Sequence, residues 1–144
     1  MSPEEQGNKL QEVGSIILDN IPSAWGDISV DFCSCHRVSG STVIVTGVDG
    51  ELSYPSLPGD AVTALRDLRE GMFREGTGTW FSLRYVITSD LRYHVDYDYD
   101  AEPDFGFEIA FSDFQRDLDR FPRDEEHIPD WLREKLSRAA AGED

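Results

Sequence analysis

The sequence predicts an α+β protein, with an antiparallel β-sheet of about four to five strands and helices packed on one face. Apolar residues recur at helical spacing in three segments, which indicates amphipathic helices. Elsewhere apolar and polar residues alternate, and turn residues join the alternating segments into hairpins. Neither a repeat nor a long linker interrupts the 144 residues. We therefore predict one domain, 1–144, whose tail 139–144 frays.

The first helix is predicted to start at Ser2-Pro3-Glu4-Glu5, where serine caps the helix and Glu5 completes a capping box. Four apolar residues then recur at helical spacing and form one face: Leu10, Val13, Ile17 and Ile21. Pro22 ends the helix because the residue before a proline is disfavoured in the helical region. We expect Trp25 to follow in a short loop and to cover the helix end.

Three strands are predicted next. The first spans Ile28–Val38, and Ser39-Gly40 turns the chain into a second strand over Thr42–Val48, which is rich in β-branched residues. Asp49-Gly50 is a strong hairpin signal, so a short third strand is expected over Glu51–Tyr54.

Two further helices flank a central hairpin. The second helix is predicted to follow Pro58 and to stop at Gly76 and Gly78, and its apolar face comprises Val62, Leu65, Leu68, Met72 and Phe73. Pro129-Asp130 opens the C-terminal helix, whose apolar residues are Ile128, Trp131, Leu132 and Leu136. Between hairpin and helix lies an aromatic segment, 105–114, that the sequence alone does not assign to strand or helix.

The central hairpin has the clearest alternation in the chain. Its first strand places Phe81, Leu83, Tyr85 and Ile87 on one face, and its second places Leu91, Tyr93, Val95, Tyr97 and Tyr99 on one face. Both faces must lie on the same side of the sheet. A three-residue loop, Thr88–Asp90, satisfies this and predicts that Arg84 lies opposite His94 and diagonal to Asp96.

The formal net charge of −16 restricts the classes of partner. Binding to nucleic acid or to an anionic membrane is disfavoured, whereas a basic partner fits; the alternative is that acidity serves only solubility or reflects a high-salt habitat. The N-terminus lacks an apolar export segment, and no apolar run approaches the ~20 residues that span a bilayer. With only two cysteines, we expect a cytoplasmic protein without a structural disulfide.

The second strand of the hairpin ends in a run of five carboxylates: Asp96, Asp98, Asp100, Glu102 and Asp104. An EF-hand loop beginning at Asp96 would need Gly at Ala101 and Glu at Phe107, so the run is not an EF-hand. An irregular cation site and a general acid/base pair remain alternatives.

No other segment predicts a metal or catalytic centre. Cys33, Cys35 and His36 lack the usual Cys pair spacing and a second half-site, so we expect core or solvated thiols and no zinc. The glycines do not match a nucleotide-binding loop. We predict a non-enzymatic protein without cofactors or bound metal.

The remaining feature is an acidic, aromatic-rich surface suited to a protein partner. Carboxylates complement basic side chains, and tyrosines supply anchors. A carboxylate array can also mimic spaced phosphates and occupy the basic groove of a nuclease. The five carboxylates are therefore the predicted binding residues, with Tyr97 and Tyr99 partly structural because alternation turns both inward.

Three segments of the sequence form a distinctive set: Ile21–Trp25 after the first helix, Trp80–Tyr85, and the aromatic-acidic strand end Tyr93–Asp100. In these segments the chain resembles the YezG-like family of bacterial immunity (antitoxin) proteins. A Pro-x-Trp segment at Pro129–Trp131 is consistent with it, whereas Asp31–Pro58 departs from the family pattern.

The resemblance implies a non-enzymatic α+β inhibitor that neutralises a cognate secreted polymorphic toxin, often a nuclease, in the cytoplasm of the producing cell. It does not identify the toxin. The expected partner is a basic toxin domain, bound by a monomer or homodimer. Two alternatives remain: a small metal-dependent hydrolase using the Asp96–Asp104 carboxylates, and a general acidic adaptor.

Overall fold

A computed structural model describes residues 1–21 and 25–143 and confirms the α+β class. Within these residues the chain forms four α-helices, a 3-10 helix over Glu125–His127, and five strands. The elements in chain order are α1 Pro3–Asp19, β1 Trp25–Cys35, β2 Val38–Gly47, β3 Leu52–Ser53, α2 Gly59–Gly71, β4 Ser82–Ile87, β5 Tyr93–Asp98, α3 Phe111–Arg120 and α4 Asp130–Ala140. Ala139 and Ala140, predicted to fray, belong to α4.

The five strands form one antiparallel sheet in the order β3-β2-β1-β4-β5. Alternate residues of the strands point to a single core face, as the period-two pattern predicts. The buried residues of this face include Ile28, Val30, Phe32, Val43, Val45, Leu83, Tyr85 and Ile87. The opposite face of the sheet, called the outer face below, carries mainly polar side chains.

Helices α1 and α2 cover the core face. The capping box at Ser2 is present: the Ser2 hydroxyl accepts a hydrogen bond from the Glu5 N–H, and the Glu5 carboxylate accepts one from the Ser2 N–H. Leu10, Val13 and Ile17 are buried as predicted. The Tyr85 hydroxyl donates to the Leu10 carbonyl at 2.9 Å, which ties α1 to β4.

A second apolar cluster joins α3 and α4 to the ends of β1 and β4. Its buried members are Cys35, Phe81, Phe114 and Leu132, and the predicted apolar residues Ile128, Trp131 and Leu136 pack against them. Trp131 meets both Phe81 and Phe114 edge to face. The described residues therefore form two clusters, one between the sheet and α1–α2 and one around α3–α4.

The turn between β1 and β2 lies three residues before the predicted one. The turn residues are His36, which has a φ of 54°, and Arg37, whereas the predicted turn residues Ser39 and Gly40 belong to β2. Gly40 instead allows close packing, because a Cβ there would lie 3.2 Å from the Phe105 carbonyl oxygen.

The hairpin register also differs from the prediction. The three-residue loop is Ser89–Leu91 and not Thr88–Asp90: the Leu91 N–H donates to the Thr88 carbonyl, and the Thr88 N–H to the Arg92 carbonyl. Leu91 lies in the left-handed region (φ 62°), completing a turn plus bulge of the common three-residue type. Leu91 is exposed in this loop, and Arg84 lies opposite Asp96, not His94.

Two further predictions need correction. Trp25 is the first residue of β1, partly buried against the main core, and not a loop residue; Pro22 to Ala24 lie outside the described residues. The aromatic segment that the sequence left unassigned contains the start of α3 at Phe111. Phe105, Phe107, Ile109 and Phe111 recur with period two, which favours a strand and conceals the helix that begins at Phe111.

Candidate functional site

The outer face carries a polar row that crosses three strands. Asp31 on β1 pairs with Arg84 on β4, which pairs with Asp96 on β5. The next row contains Cys33, Ser82 and Asp98, in the same strand order. Cross-strand neighbours on one face lie close enough to interact, so β1, β4 and β5 together place Asp31, Asp96 and Asp98 on one surface.

A loop wall turns this surface into a groove. Residues Asp104 to Gly106 cross the outer face beside β2, where the Cys33 thiol lies 3.5 Å from the Asp104 carbonyl oxygen. The groove between the loop and the strands has a volume of about 470 Å³. It is called the acidic groove below and is lined in part by Asp31, Ser41, Thr42, Ser82, Arg84, Asp96, Asp98 and Asp104.

Negative charge dominates the acidic groove. Of the residues that the structure describes, four carboxylates line it, from Asp31, Asp96, Asp98 and Asp104, against one cationic residue, Arg84. The Arg84 Nε lies 3.6 Å from the Asp31 Oδ1, and both side chains are more than half exposed. Such exposed pairs contribute only about 0–1 kcal/mol, so Arg84 offsets one charge without closing the groove.

Two of the groove carboxylates also organise the backbone after β5. The Asp98 Oδ1 accepts hydrogen bonds from the N–H groups of Asp100 and Ala101, at 3.1 and 2.9 Å. The Asp104 Oδ1 accepts one from the Gly106 N–H at 3.0 Å. Asp96 has no such backbone role among the described contacts and meets His94 at 3.1 Å on the surface. Asp96 is therefore the groove carboxylate most available to a partner.

Asp100 and Glu102, also predicted as binding residues, do not line the acidic groove. The Asp100 carboxylate is 3.9 Å from Arg123, and its carbonyl accepts a hydrogen bond from the Trp131 indole at 2.6 Å. The Glu102 carboxylate lies 3.4 Å from the Lys135 ammonium. These two acids face α4 and the preceding loop, so the predicted run of five carboxylates divides into two groups.

Tyr97 and Tyr99 turn inward, as the alternation predicted. Both pack against the main core, and the Tyr97 ring lies 5.7 Å from the Trp80 ring. Burial raises the pKa of the Tyr97 hydroxyl to about 12 and also raises the pKa of Tyr99. Their side chains support β5 from the core side. Tyr97 is nevertheless among the residues that line the acidic groove, whereas Tyr99 is not.

The two cysteines are free and buried, as expected for core thiols. Burial raises the pKa of the Cys33 thiol to about 11, and burial also raises that of Cys35. Thiols in this state are poor nucleophiles and poor metal ligands at neutral pH. Within residues 1–21 and 25–143, no group of three or more His, Cys, Asp or Glu residues is arranged to hold a metal ion.

Sequence reasoning missed a buried ion pair that connects the two apolar clusters. Arg69 on α2 and Asp117 on α3 are 3% and 4% exposed and form two hydrogen bonds, at 2.7 and 2.8 Å. The Arg69 Nε donates to the Trp80 carbonyl, and the Asp117 Oδ1 accepts from the His36 N–H. This pair fixes α3 and the β1–β2 turn against α2, which is a structural role.

No protein-family model matches the sequence, and a comparison with curated proteins finds no similar chain. The resemblance to the YezG-like family therefore stays a prediction. Among the helices of the described part of the chain, none is long and apolar enough to cross a membrane.

Proposed function

We propose that this protein is an immunity protein that binds a basic toxin domain, such as a nuclease, and neutralises it through the acidic groove. One observation carries the proposal. Four carboxylates from β1, β5 and the loop after β5 converge on a groove in which Arg84 is the one cationic lining residue within the described part of the chain. The groove suits a basic protein segment because its charge complements lysine and arginine side chains.

The fold supports binding by a preorganised surface. Asp31 and Asp96 project from paired strands, and the core rows behind them are buried. This surface therefore loses little conformational entropy when a partner binds, which favours affinity. The net charge of −16 also attracts a basic partner over a distance, so association is expected to be fast at low salt and slower at high salt.

The groove carboxylates favour a binding role over the hydrolase alternative. Asp98 and Asp104 accept backbone hydrogen bonds, so one oxygen of each carboxylate already organises the chain after β5. Cys33, the buried thiol beside the groove, has a raised pKa and is not an activated nucleophile. Occupation of a basic site on a toxin needs none of this chemistry.

The first experiment is affinity capture of the partner from the lysate of the source cells, at low and at high salt, followed by mass spectrometry. The proposal expects one basic protein in a one-to-one complex, and expects the purified chain to inhibit its toxic or nucleolytic activity stoichiometrically. Many weakly held basic proteins would instead indicate the acidic adaptor. A captured protein that retains full activity in the complex would contradict the proposal.

A matched pair of variants then tests the groove itself. Asp31→Asn with Asp96→Asn removes two groove charges, and we expect at least about a hundredfold loss of affinity for the captured protein, because close interfacial charge pairs contribute ~1.5 kcal/mol or more each. Glu51→Gln with Glu75→Gln removes two exposed charges outside the groove and serves as the control. Equal affinity of the two double variants would place the interface elsewhere.

A further inference from the structure

Strand β5 leaves one edge of the sheet open. Among the strands of residues 1–21 and 25–143, in the order β3-β2-β1-β4-β5, β5 is hydrogen-bonded only to β4. The opposite edge is formed by β3, which has two residues and is therefore a poor template for pairing. By contrast, β5 has six residues, contains neither proline nor lysine, and pairs with β4 in an unbroken register. Natural proteins usually protect such an edge.

The open edge presents the backbone of three residues. The Arg92 and Asp98 carbonyls accept hydrogen bonds from Thr88 and Phe81, on the β4 side of the hairpin. Ladder hydrogen bonds alternate along an antiparallel strand, so the even-numbered residues bond toward β4. The N–H and C=O groups of Tyr93, Val95 and Tyr97 therefore point away from the sheet and can pair with a further strand.

The side chains along this edge are self-complementary in charge. From Arg92 to Asp98 the sequence reads R-Y-H-V-D-Y-D, with the basic and imidazole groups before Val95 and the acids after it. We propose that β5 pairs antiparallel with β5 of a second copy of this chain, about a twofold axis at Val95. Arg92 then lies opposite Asp98 of the second copy, and His94 lies opposite its Asp96.

The two faces of the paired strands both match. On the outer face, the paired strands form four cross-copy pairs, two of Arg92 with Asp98 and two of His94 with Asp96. The side chains of Arg92, His94 and Asp96 are mostly exposed, and their surface contacts within one copy, Arg92 with Asp90 and His94 with Asp96, exchange for the cross-copy pairs. On the core face, Tyr93 lies opposite Tyr97 of the second copy. Tyr93 is 41% exposed, so the pairing also buries aromatic surface. Cross-strand pairs of both kinds stabilise sheets.

Other registers lose this complementarity. Moving the axis from Val95 to His94 places the two imidazoles opposite each other, and moving it to Asp96 places two carboxylates opposite each other. A parallel arrangement places each acidic residue beside the same acidic residue of the second copy, which is destabilising.

The net charge of −16 per chain repels a second copy from a distance. We therefore expect a dimer that salt strengthens, because screening acts most on the long-range repulsion.

The test is sedimentation equilibrium of the purified full chain, up to millimolar concentration, with two single variants. Asp96→Lys and His94→Glu each replace two favourable cross-copy pairs by unfavourable or neutral ones, so each is expected to dimerise about tenfold more weakly than wild type. Mixed in equal amounts they form a heterodimer with one Lys–Glu contact and one retained His94–Asp96 contact, and affinity is restored. Glu51→Lys, away from the edge, makes the same charge change as Asp96→Lys and is the control.

Amide hydrogen exchange gives a second readout that depends on the register. At concentrations that favour the dimer, the N–H groups of Tyr93, Val95 and Tyr97 become protected, whereas those of His94 and Asp96 are protected at every concentration. A chain that stays monomeric, or a dimer in which these three amides exchange freely, would overturn the proposal. A monomeric chain would restrict pairing at the β5 edge to a strand of a different protein. Both measurements use the chain alone, so they are independent of toxin binding.

Discussion

At the scale of single residues, the buried Arg69–Asp117 pair is a position where substitution is expected to be costly. Both side chains are removed from solvent, and their partners include the Trp80 carbonyl and the His36 N–H. A buried charge that loses its partner remains desolvated, which costs much more than the intact pair contributes.

We expect Asp117→Ala to lower the free energy of unfolding by about 3–5 kcal/mol, because it leaves the Arg69 guanidinium buried and unpaired. Denaturant titration measures this loss. Asp119→Ala, at an exposed position on the same helix, is the control and should change stability by less than about 0.5 kcal/mol. Combining Asp117→Leu with Arg69→Met should recover much of the loss, and a double variant as unstable as Asp117→Ala would contradict this reading.

A second residue-scale prediction concerns alkaline pH. Burial raises the pKa of Tyr97 to about 12 in the folded state, from an ordinary value of 10.0. The folded state thus holds the Tyr97 proton more tightly than the unfolded chain does. The contribution of Tyr97 to the free energy of unfolding is therefore complete below pH 10 and is lost as the pH rises toward 12.

The melting temperature of Tyr97→Phe should therefore fall less steeply than that of wild type across this alkaline range. Tyr54→Phe, at an exposed tyrosine, is the matched control. Identical slopes for wild type and Tyr97→Phe would show that Tyr97 does not contribute to the alkaline loss.

At the scale of elements, the β4–β5 hairpin contains removable strain. Leu91 adopts a φ of 62° and is 68% exposed, so it bears a backbone cost without contributing packing. We expect Leu91→Gly to stabilise the protein by about 0.5–1 kcal/mol, measured by denaturant titration. Ser89→Gly, in the same loop without a positive φ, should be neutral or destabilising. A destabilised Leu91→Gly variant would mean that the exposed leucine makes a contribution that its burial does not reveal.

The sequence predicted most elements because their signals are local. The capping box at Ser2, the Asp49-Gly50 turn and the alternation in β4 and β5 all depend on residues a few positions apart, and the structure has each of them. The prediction of which hairpin side chains face the core was also correct, because a buried face determines which alternate residues turn inward. The exact register was wrong because Leu91 was assigned to the strand on hydrophobicity, whereas it completes the turn.

The acidic groove could be predicted only in part. Asp96, Asp98 and Asp104 stood out in the sequence, but Asp31 joins them only because β1 lies beside β4, a pairing over some fifty residues of chain. In the sequence, Asp100 and Glu102 resemble the groove acids. Both follow the end of β5, however, and their carboxylates lie near Arg123 and Lys135. Patterns over a few residues predict neither the pairing of β1 with β4 nor the direction of the chain after β5.

At the scale of the whole molecule, charge opposes folding. A net charge of −16 on 144 residues creates self-repulsion that salt screens. We expect the melting temperature to rise by several degrees between low and high NaCl. CaCl₂ and MgCl₂ at matched ionic strength should give a similar rise. A much larger rise with either divalent ion would instead favour the metal-dependent hydrolase. A melting temperature that falls with NaCl would contradict the repulsion argument.

The two buried thiols allow local opening of the native protein to be timed. Cys33 lies beneath the loop wall of the acidic groove, at the Asp104 carbonyl, whereas Cys35 belongs to the cluster formed by α3 and α4. An alkylating reagent reaches either sulfur only after its own region opens. Labelling kinetics followed by peptide mapping would therefore time these two openings separately in the unmodified chain. A bound partner that seals the groove would slow labelling at Cys33 and leave that at Cys35 unchanged.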